Sequence, residues 1–276
     1  MEGDAVIVDS RLDDGAAISN RAPARGGTLS VHGNLALSGS MISNSYTVGK
    51  QAVPYSGAGG AVFVGGTLTM EGSTITGNCA AAADFTTTFG EAGGVYVAGS
   101  GSTIVNSTIA GNGANRGGGL VAPDVVLANS TIAFNRSSGG FGGAGMIVRG
   151  DSTIESSILA GNVAAGAGTA AADLATDGTL VAIAGGNNLV MTAASTILLP
   201  PDTLQVDPLL APLADNGGPT WTLALQPGSP ALDAGNNVAG LATDQRGPGF
   251  VRVAGERADI GAYEVQVDAI FVDGFD

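Results

Sequence analysis

The chain is poor in several residue types that restrict what a protein can do. It contains one cysteine, Cys79, one lysine, one histidine and one tryptophan, and only 12% of its 276 residues are charged. A single cysteine excludes an internal disulfide and a metal site built from spaced Cys and His residues. Ten basic residues stand against 24 acidic ones, a net charge of −14, which opposes binding to nucleic acid and to anionic lipid.

Long hydrophobic runs are missing as well. No stretch approaches the roughly 18 apolar residues of a membrane-spanning helix, and the N-terminus MEGDAVIVDS has neither the basic start nor the apolar core of a signal peptide. We therefore expect a soluble chain without membrane insertion, whose export signal, if it is exported, is not in this sequence. Hydrophobic residues make up 44% of the chain, so there is enough apolar surface to bury and the composition argues against disorder.

One seven-residue sequence motif recurs along the chain. It is preceded each time by an aliphatic residue and a Gly pair, and it ends in Asn in its four clear copies, GSTITGN at 72–78, NSTIAGN at 106–112, NSTIAFN at 129–135 and SSILAGN at 156–162. When the segments 46–58, 79–92, 113–116 and 136–141 are removed as insertions, Ser45 at the end of a fainter copy and the four terminal Asn residues follow one another at intervals of 20, 20, 19 and 21 residues. A constant unit with insertions at one corner is typical of a coil of stacked turns.

The hydrophobic pattern within each unit alternates as in short strands. Gly suits the corners, and Asn in register can stack its amide groups into a hydrogen-bonded ladder. The sequence predicts an all-β fold, a right-handed parallel β-helix with an irregular C-terminal cap. We expect an internal column of Ile75, Ile109, Ile132 and Leu159, and one corner formed by Asn78, Asn112, Asn135 and Asn162.

The predicted organisation has three parts. Residues 1–165 form the turns, with the best repeats at 59–162. Residues 166–264 form the last turns and the cap, and residues 265–276 form an acidic tail. In the cap we expect Arg246, close to Asp244, to pair with Asp259 or Glu264 and to fix the returning chain over the last turn. The alternative is that these acids bind a divalent cation.

The C-terminal motifs carry a resemblance to a known family. DPLLAPLADNGGPTWTLALQPGSPALDAG, DQRG and ADIGAYE are very similar to the C-terminal region of bacterial secreted proteins called choice-of-anchor Q proteins. The repeats at NSTI resemble those of pectin-lyase-like and polymorphic outer-membrane proteins. The similarity covers roughly residues 59–264. It implies a right-handed β-helix on a protein that is secreted or displayed on the bacterial cell surface through an exchangeable anchor.

The repeats contain few residues suited to catalysis. Glu71, Asp124, Asp151 and Glu155 are the only acids in the predicted strands of the best repeats. Only Asp151 and Glu155 are close in sequence, and both are expected to face solvent. GGFGGAG at 139–145 matches a dinucleotide-binding glycine pattern, but it has no following helix and no acidic partner. We predict no catalytic residue, no metal and no cofactor.

The predicted insertions contain the strongest signal for recognition. They concentrate aromatic side chains with a few charges, and because they leave the coil at one corner they should lie along one edge. Such an edge could stack on sugar rings or bind a protein, or it could simply pack down over the coil. The candidate ligand-contact residues are Tyr46, Tyr55, Phe85, Phe89, Arg116 and Phe141.

The function expected first is a non-enzymatic secreted or cell-surface β-helix protein. It would be an adhesin-like passenger or a structural spacer, with a polysaccharide or a surface protein as partner and recognition by the corner loops. The alternative is a carbohydrate-active β-helix enzyme, a polysaccharide lyase or hydrolase. A third reading, an ice-binding face on stacked Thr74, Thr108 and Thr131, is disfavoured because Ala110 and Ala133 interrupt the second threonine column.

Overall fold

The computed structural model describes residues 1–19, 23–49, 57–82, 90–139, 143–165 and 173–266. Within these ranges the chain forms short strands, turns and no helix, and the strands stack in parallel as a β-solenoid. The predicted parallel β-helix with an irregular C-terminal region is confirmed. The described residues therefore include no helix that is long and apolar enough to cross a membrane.

Five sheets run along the solenoid, numbered here in the order in which one turn visits them. Each turn contributes one strand to a sheet, so neighbours in a sheet are one turn apart in sequence. Sheet 1 contains β1 (Ala5–Val8), β6 (Leu35–Ser38), β11 (Leu68–Glu71), β16 (Ser102–Val105), β20 (Val125–Ala128), β24 (Ser152–Glu155), β28 (Val181–Gly186) and β30 (Ile197–Leu198).

The next two sheets follow sheet 1 around the turn. Sheet 2 contains β2 (Arg11–Asp13), β7 (Met41–Ser43), β12 (Thr74–Thr76), β17 (Thr108–Ala110), β21 (Thr131–Ala133), β25 (Ile158–Ala160) and β29 (Leu189–Val190). Sheet 3 contains β3 (Ala16–Ser19), β8 (Tyr46–Gly49), β13 (Cys79–Ala82), β18 (Gly113–Ala114), β22 (Arg136–Ser137) and β26 (Val163–Ala164).

The last two sheets close the turn. Sheet 4 contains β4 (Ala24–Arg25), β9 (Gly57–Ala58) and β14 (Gly90–Glu91). Sheet 5 contains β5 (Leu29–Val31), β10 (Val62–Val64), β15 (Val95–Val97), β19 (Leu120–Ala122), β23 (Met146–Val148) and β27 (Leu174–Thr176).

The predicted insertions are in part regular turns of the coil. Each of them begins with a strand of sheet 3, β8, β13, β18 or β22, and two of them end in a strand of sheet 4, β9 or β14. They were predicted to leave the coil at the corner after the Asn residues, but their first residues pair with the neighbouring turns instead. Alanine, glycine and polar residues dominate these strands, so they lack the aliphatic alternation by which the other strands were recognised.

The predicted internal column is confirmed. Ile75 pairs with Ile109, Ile109 with Ile132, and Ile132 with Leu159 in successive parallel strands. All four side chains are buried in one continuous hydrophobic core that extends through the solenoid. At roughly 1.5–3 kcal/mol for each fully buried aliphatic side chain, this core is the main source of the coil's stability.

The predicted asparagine corner is also confirmed. Asn78 donates its Nδ2 to Asn112 Oδ1 at 2.9 Å, and the same contact links Asn112 to Asn135 and Asn135 to Asn162. The ladder ends on the buried Asp173, whose Oδ1 accepts from Asn162 Nδ2 at 2.8 Å. Each amide thus satisfies buried backbone and side-chain groups on the neighbouring turn.

A second ladder, of serines, lies at the corner between sheets 1 and 2. From Ser40 onward, each serine hydroxyl accepts a backbone N–H from the serine one turn earlier, with N···O distances of 3.0–3.2 Å. Its members are Ser10, Ser40, Ser73, Ser107, Ser130 and Ser157. These residues include the serine shared by GST, NST and SSI in the repeats, for which no role was predicted.

The irregular C-terminal region has two parts. Residues 191–204, the end segment, cover the last turn: Val190 donates its N–H to Leu204 O at 2.9 Å, and Leu199 packs against the core. Residues 205–266, the strap, return along the outer face of sheet 2. There Leu210, Leu223 and Ile260 pack with Ala133 and Ile158 of the coil.

Hydrogen bonds fix the strap to several turns. Gln245 Nε2 donates to Thr74 Oγ1 at 2.8 Å, while Gln245 Oε1 accepts from Thr108 Oγ1 at 2.6 Å. Ala262 N–H donates to Thr131 Oγ1 at 3.1 Å. The predicted position of Arg246 over the last turn is therefore wrong, because its neighbour Gln245 lies against turns in the middle of the coil.

Buried charges hold the strap together. Arg246 pairs with Asp244 at 2.6 Å and reaches Glu264 only through the backbone oxygen, so the predicted pairing of Arg246 with the carboxylate of Asp259 or Glu264 is wrong. Arg252 pairs with Glu264 at 3.1 Å and also donates to Asp259 O at 2.7 Å. The guanidinium of Arg246 lies 3.9 Å from the ring centres of both Phe250 and Tyr263.

Candidate functional site

A cleft on the outer face of sheet 5 brings aromatic and charged side chains together. Val62 and Val64 of β10 point into the core, so Phe63 between them points outward, and Tyr96 has the same place in β15. Because parallel strands in register lie about 4.8 Å apart, the two rings stack. Their centres are 5.6 Å apart and their planes differ by 6°.

Two arginines cover these rings. The guanidinium carbon of Arg25 lies 4.6 Å from the centre of Phe63, and that of Arg149 lies 5.7 Å from the centre of Tyr96. Arg149 Nη1 also donates to the Tyr96 hydroxyl at 3.3 Å. The Tyr96 oxygen is thus an acceptor in this contact, which leaves its own proton to be donated.

Glu91 forms the acidic part of the cleft. Its side chain is buried, and Oε1 accepts from Arg149 Nη2 at 2.7 Å and from Arg116 Nη1 at 3.1 Å. Both arginines also pair with Asp177, at 2.6 Å for Arg149 Nε. Burial raises the pKa of the Glu91 carboxyl above its ordinary value, and the positive charges of Arg149 and Arg116 oppose part of this shift.

The cleft has a volume of about 300 Å³ and is lined by Pro23, Arg25, Ala58, Phe63, Glu91, Tyr96, Ala98 and Arg149. Two arginines against one carboxylate give the lining a charge of +1 when Glu91 is ionised, on a chain whose net charge is −14. Ring edges beside arginine donors and a carboxylate acceptor suit a ligand with several hydroxyl groups, and the local positive charge favours a ligand with a carboxylate.

The structure places two of the six candidate ligand-contact residues. Tyr46 begins β8 in sheet 3 and is 40% exposed. Arg116 adjoins the cleft through Glu91 and Asp177, so its guanidinium already has carboxylate partners. Tyr55, Phe85, Phe89 and Phe141 lie outside the described residues, and binding by the corner loops stays a prediction.

Sequence reasoning missed the cleft because it treated residues 79–92 as an insertion and so left Glu91 out of the acids of the coil. A signal was present: AVFVGG at 61–66 and GVYVAG at 94–99 put an aromatic residue at the same place in two successive units. Since side chains on a strand alternate between its faces, an aromatic residue between two core valines must point outward.

Two predictions concern other faces of the coil. The ice-binding face is excluded, because Thr74, Thr108 and Thr131 are buried under the strap. Asp151 is exposed as predicted, whereas Glu155 is half-buried and accepts from Asn236 Nδ2 at 2.5 Å.

The strap acids are also engaged, since Asp244, Asp259 and Glu264 accept from arginines or backbone N–H groups. Across the described ranges, no three His, Cys, Asp or Glu side chains are grouped so that they could hold a metal.

Comparison with family models, with characterised proteins and with solved structures finds no match to this chain. The fold defines it as a parallel β-solenoid protein.

Proposed function

We propose that this protein is a non-enzymatic, surface-displayed β-solenoid that binds a polysaccharide in the cleft over Phe63 and Tyr96. The observation that carries the proposal is the combination of a stacked aromatic pair with Arg149 and Glu91 in a cleft of about 300 Å³. Polysaccharide chains with carboxylate groups are the preferred ligands because the lining has an excess of one positive charge. Display on a bacterial surface rests on the sequence resemblance.

The direct test is binding of the purified chain to immobilised polysaccharides, neutral and uronate-bearing, followed by calorimetry on the best ligand. We expect Tyr96→Ala to weaken binding at least tenfold, about 1.4 kcal/mol. Tyr46→Ala is the matched control, a tyrosine exposed on sheet 3. Loss of binding in Tyr46→Ala but not in Tyr96→Ala would move recognition to the corner-loop edge and contradict the proposed cleft.

One observation favours the second candidate, a polysaccharide lyase or hydrolase. A buried carboxyl whose pKa is raised by burial, beside an arginine and a tyrosine, is a candidate for proton transfer. Incubation with the same polysaccharides, followed for unsaturated products and for new reducing ends, distinguishes the two candidates. Product formation that disappears in Glu91→Gln would make the protein an enzyme, and intact polysaccharide would leave it a binding protein.

A further inference from the structure

A second pocket lies where the strap meets the corner between sheets 2 and 3. Its volume is about 220 Å³, and its main lining residues are Phe134, Gly161, Met191, Asp207, Leu209 and Gln226. We call it the seam pocket. It lies on a different face from the cleft of sheet 5, so it plays no part in the proposed polysaccharide binding.

The backbone at Phe134 is unusual for an aromatic residue. Phe134 has a φ of +56°, and the equivalent corner residues of the adjacent turns are Gly111 and Gly161, with φ of +68° and +65°. Glycine adopts this left-handed conformation freely, whereas a bulky side chain is strained there. Since glycine occupies the equivalent position in the turn before and in the turn after Phe134, the aromatic ring is not required to form the corner.

The ring nevertheless has a defined place. A Cβ atom at Gly161 would come within 2.7 Å of Phe134 Cε1, so the glycine of the next turn is what allows the ring to lie against the coil. The Phe134 side chain remains 45% exposed and faces the seam pocket. Strained residues kept in this way are typical of binding sites.

The strap completes the pocket with a second strained residue and a carboxylate. Leu209 has a φ of +53° and is 39% exposed. Its backbone N–H donates to Asp207 Oδ1 at 2.9 Å, which fixes the carboxylate at the rim. Gln226 is held by donation from its Nε2 to Leu210 O, also at 2.9 Å. The lining contains an aromatic ring, a thioether and one negative charge, and none of its residues is cationic.

We propose that the seam pocket binds an alkylated ammonium group, such as the head of a choline-like ligand. Both strong electrostatic features, the face of Phe134 and the carboxylate of Asp207, attract a cation, and the apolar lining accepts its methyl groups. A purely apolar ligand would leave the charge of Asp207, exposed at the rim, unused. An anion would be repelled by Asp207 and by the net charge of −14.

The test uses choline and its uncharged isostere 3,3-dimethyl-1-butanol, titrated into the full chain by calorimetry. We expect choline to bind at least tenfold more tightly than the isostere and to bind more weakly as salt is added. Phe134→Gly should lose at least tenfold in choline affinity while its melting temperature stays the same or rises, because it removes the strained φ. Asp207→Asn should lose a similar factor.

Asp215→Asn is the matched control. Asp215 Oδ1 accepts the N–H of Gly217 in the same kind of turn of the strap, away from the seam pocket, so this variant should bind choline normally. Equal binding of choline and the isostere would overturn the proposal, as would absence of choline binding or unchanged binding in Phe134→Gly. None of these outcomes affects the polysaccharide assay, which reports on the cleft of sheet 5.

Discussion

The coil and the strap are stabilised in opposite ways. In the coil, every turn repeats the same few contacts: an aliphatic column inside and ladders of Asn and Ser at the corners. In the strap, no contact repeats, and buried ion pairs such as Arg252 with Glu264 take the place of a large core. Repeated contacts divide stability evenly among the turns, whereas a single buried charge network concentrates it in a few residues.

At pH 8, where Glu264 is ionised, Arg252→Ala should have the largest effect, because it leaves Glu264 buried without its cationic partner. We expect a loss of about 3–5 kcal/mol in the free energy of the strap's attachment. Limited proteolysis should then cut within 205–266 while the coil stays protected. Arg257→Ala, at an exposed strap position, is the control. Equal protection of the strap in both variants would show that the ion pair is dispensable.

Ile109→Ala is the corresponding change in the coil. It should lower the free energy of unfolding by about 2–5 kcal/mol, since it opens a cavity in the continuous core. Chemical denaturation measures the loss, and Val126→Ala, at a 44% exposed position of sheet 1, should cost far less. If the two variants unfold at the same denaturant concentration, the inward register of sheet 2 is wrong.

The third effect is a dependence of stability on pH that originates mainly in the strap. Burial raises the pKa of Glu264 from 4.5 to about 7, so between these values the folded chain binds more protons than the unfolded chain. The stabilising contribution is complete below about pH 4.5 and is lost as the pH rises through 7. Glu91 and Asp259, whose pKa values burial also raises, act in the same direction.

Melting temperatures between pH 5 and 8 test this effect. We expect a decrease with rising pH, on the order of 3 kcal/mol at most from Glu264, and a shallower decrease in Glu264→Gln. Glu256→Gln removes the same charge from an exposed position and should keep the slope of the unmodified chain. Identical slopes in all three proteins would rule out Glu264 as the source.

Asn135→Ala should give the smallest effect of the series, about 1–3 kcal/mol, because it leaves the buried N–H of Asn112 without its acceptor. Asn112 Nδ2 loses one acceptor but keeps the backbone oxygens of Ile75 and Ala110. Asn115→Ala, half-buried in sheet 3's corner and outside the ladder, is the control. Unfolding of the two variants at the same denaturant concentration would mean that the ladder contributes specificity of register rather than stability.

The coil could be predicted because its interactions are periodic. Ile109 and Asn112 recur as Ile132 and Asn135 one turn later. This spacing alone indicated one internal column and one corner. The strands of sheet 3 could not be predicted from the hydrophobic pattern, because residues such as Gly113, Ala114 and Ser137 do not alternate between apolar and polar. The cleft was hidden for the same reason, because Glu91 lay in a segment interpreted as an insertion.

The strap could not be predicted in detail from sequence, because each of its contacts occurs once. The sequence placed Arg246 near carboxylates, but choosing between Asp244 and Glu264 depends on how the chain returns along sheet 2. The seam pocket depends on the same route, since Phe134 meets Asp207 and Leu209 only after the strap has docked.

The route of the strap also orders the assembly of the molecule. Gln245 contacts Thr74 across 171 residues and Thr108 across 137 residues, and Ala262 reaches Thr131 across 131 residues. Contacts between residues so far apart in sequence form slowly, because the chain loses conformational entropy on loop closure before the new contact stabilises it. The docking surface for the strap exists only after several successive turns have formed. During synthesis from the N-terminus the coil therefore folds first. The strap attaches last, and it can attach only to a coil whose turns are stacked in register.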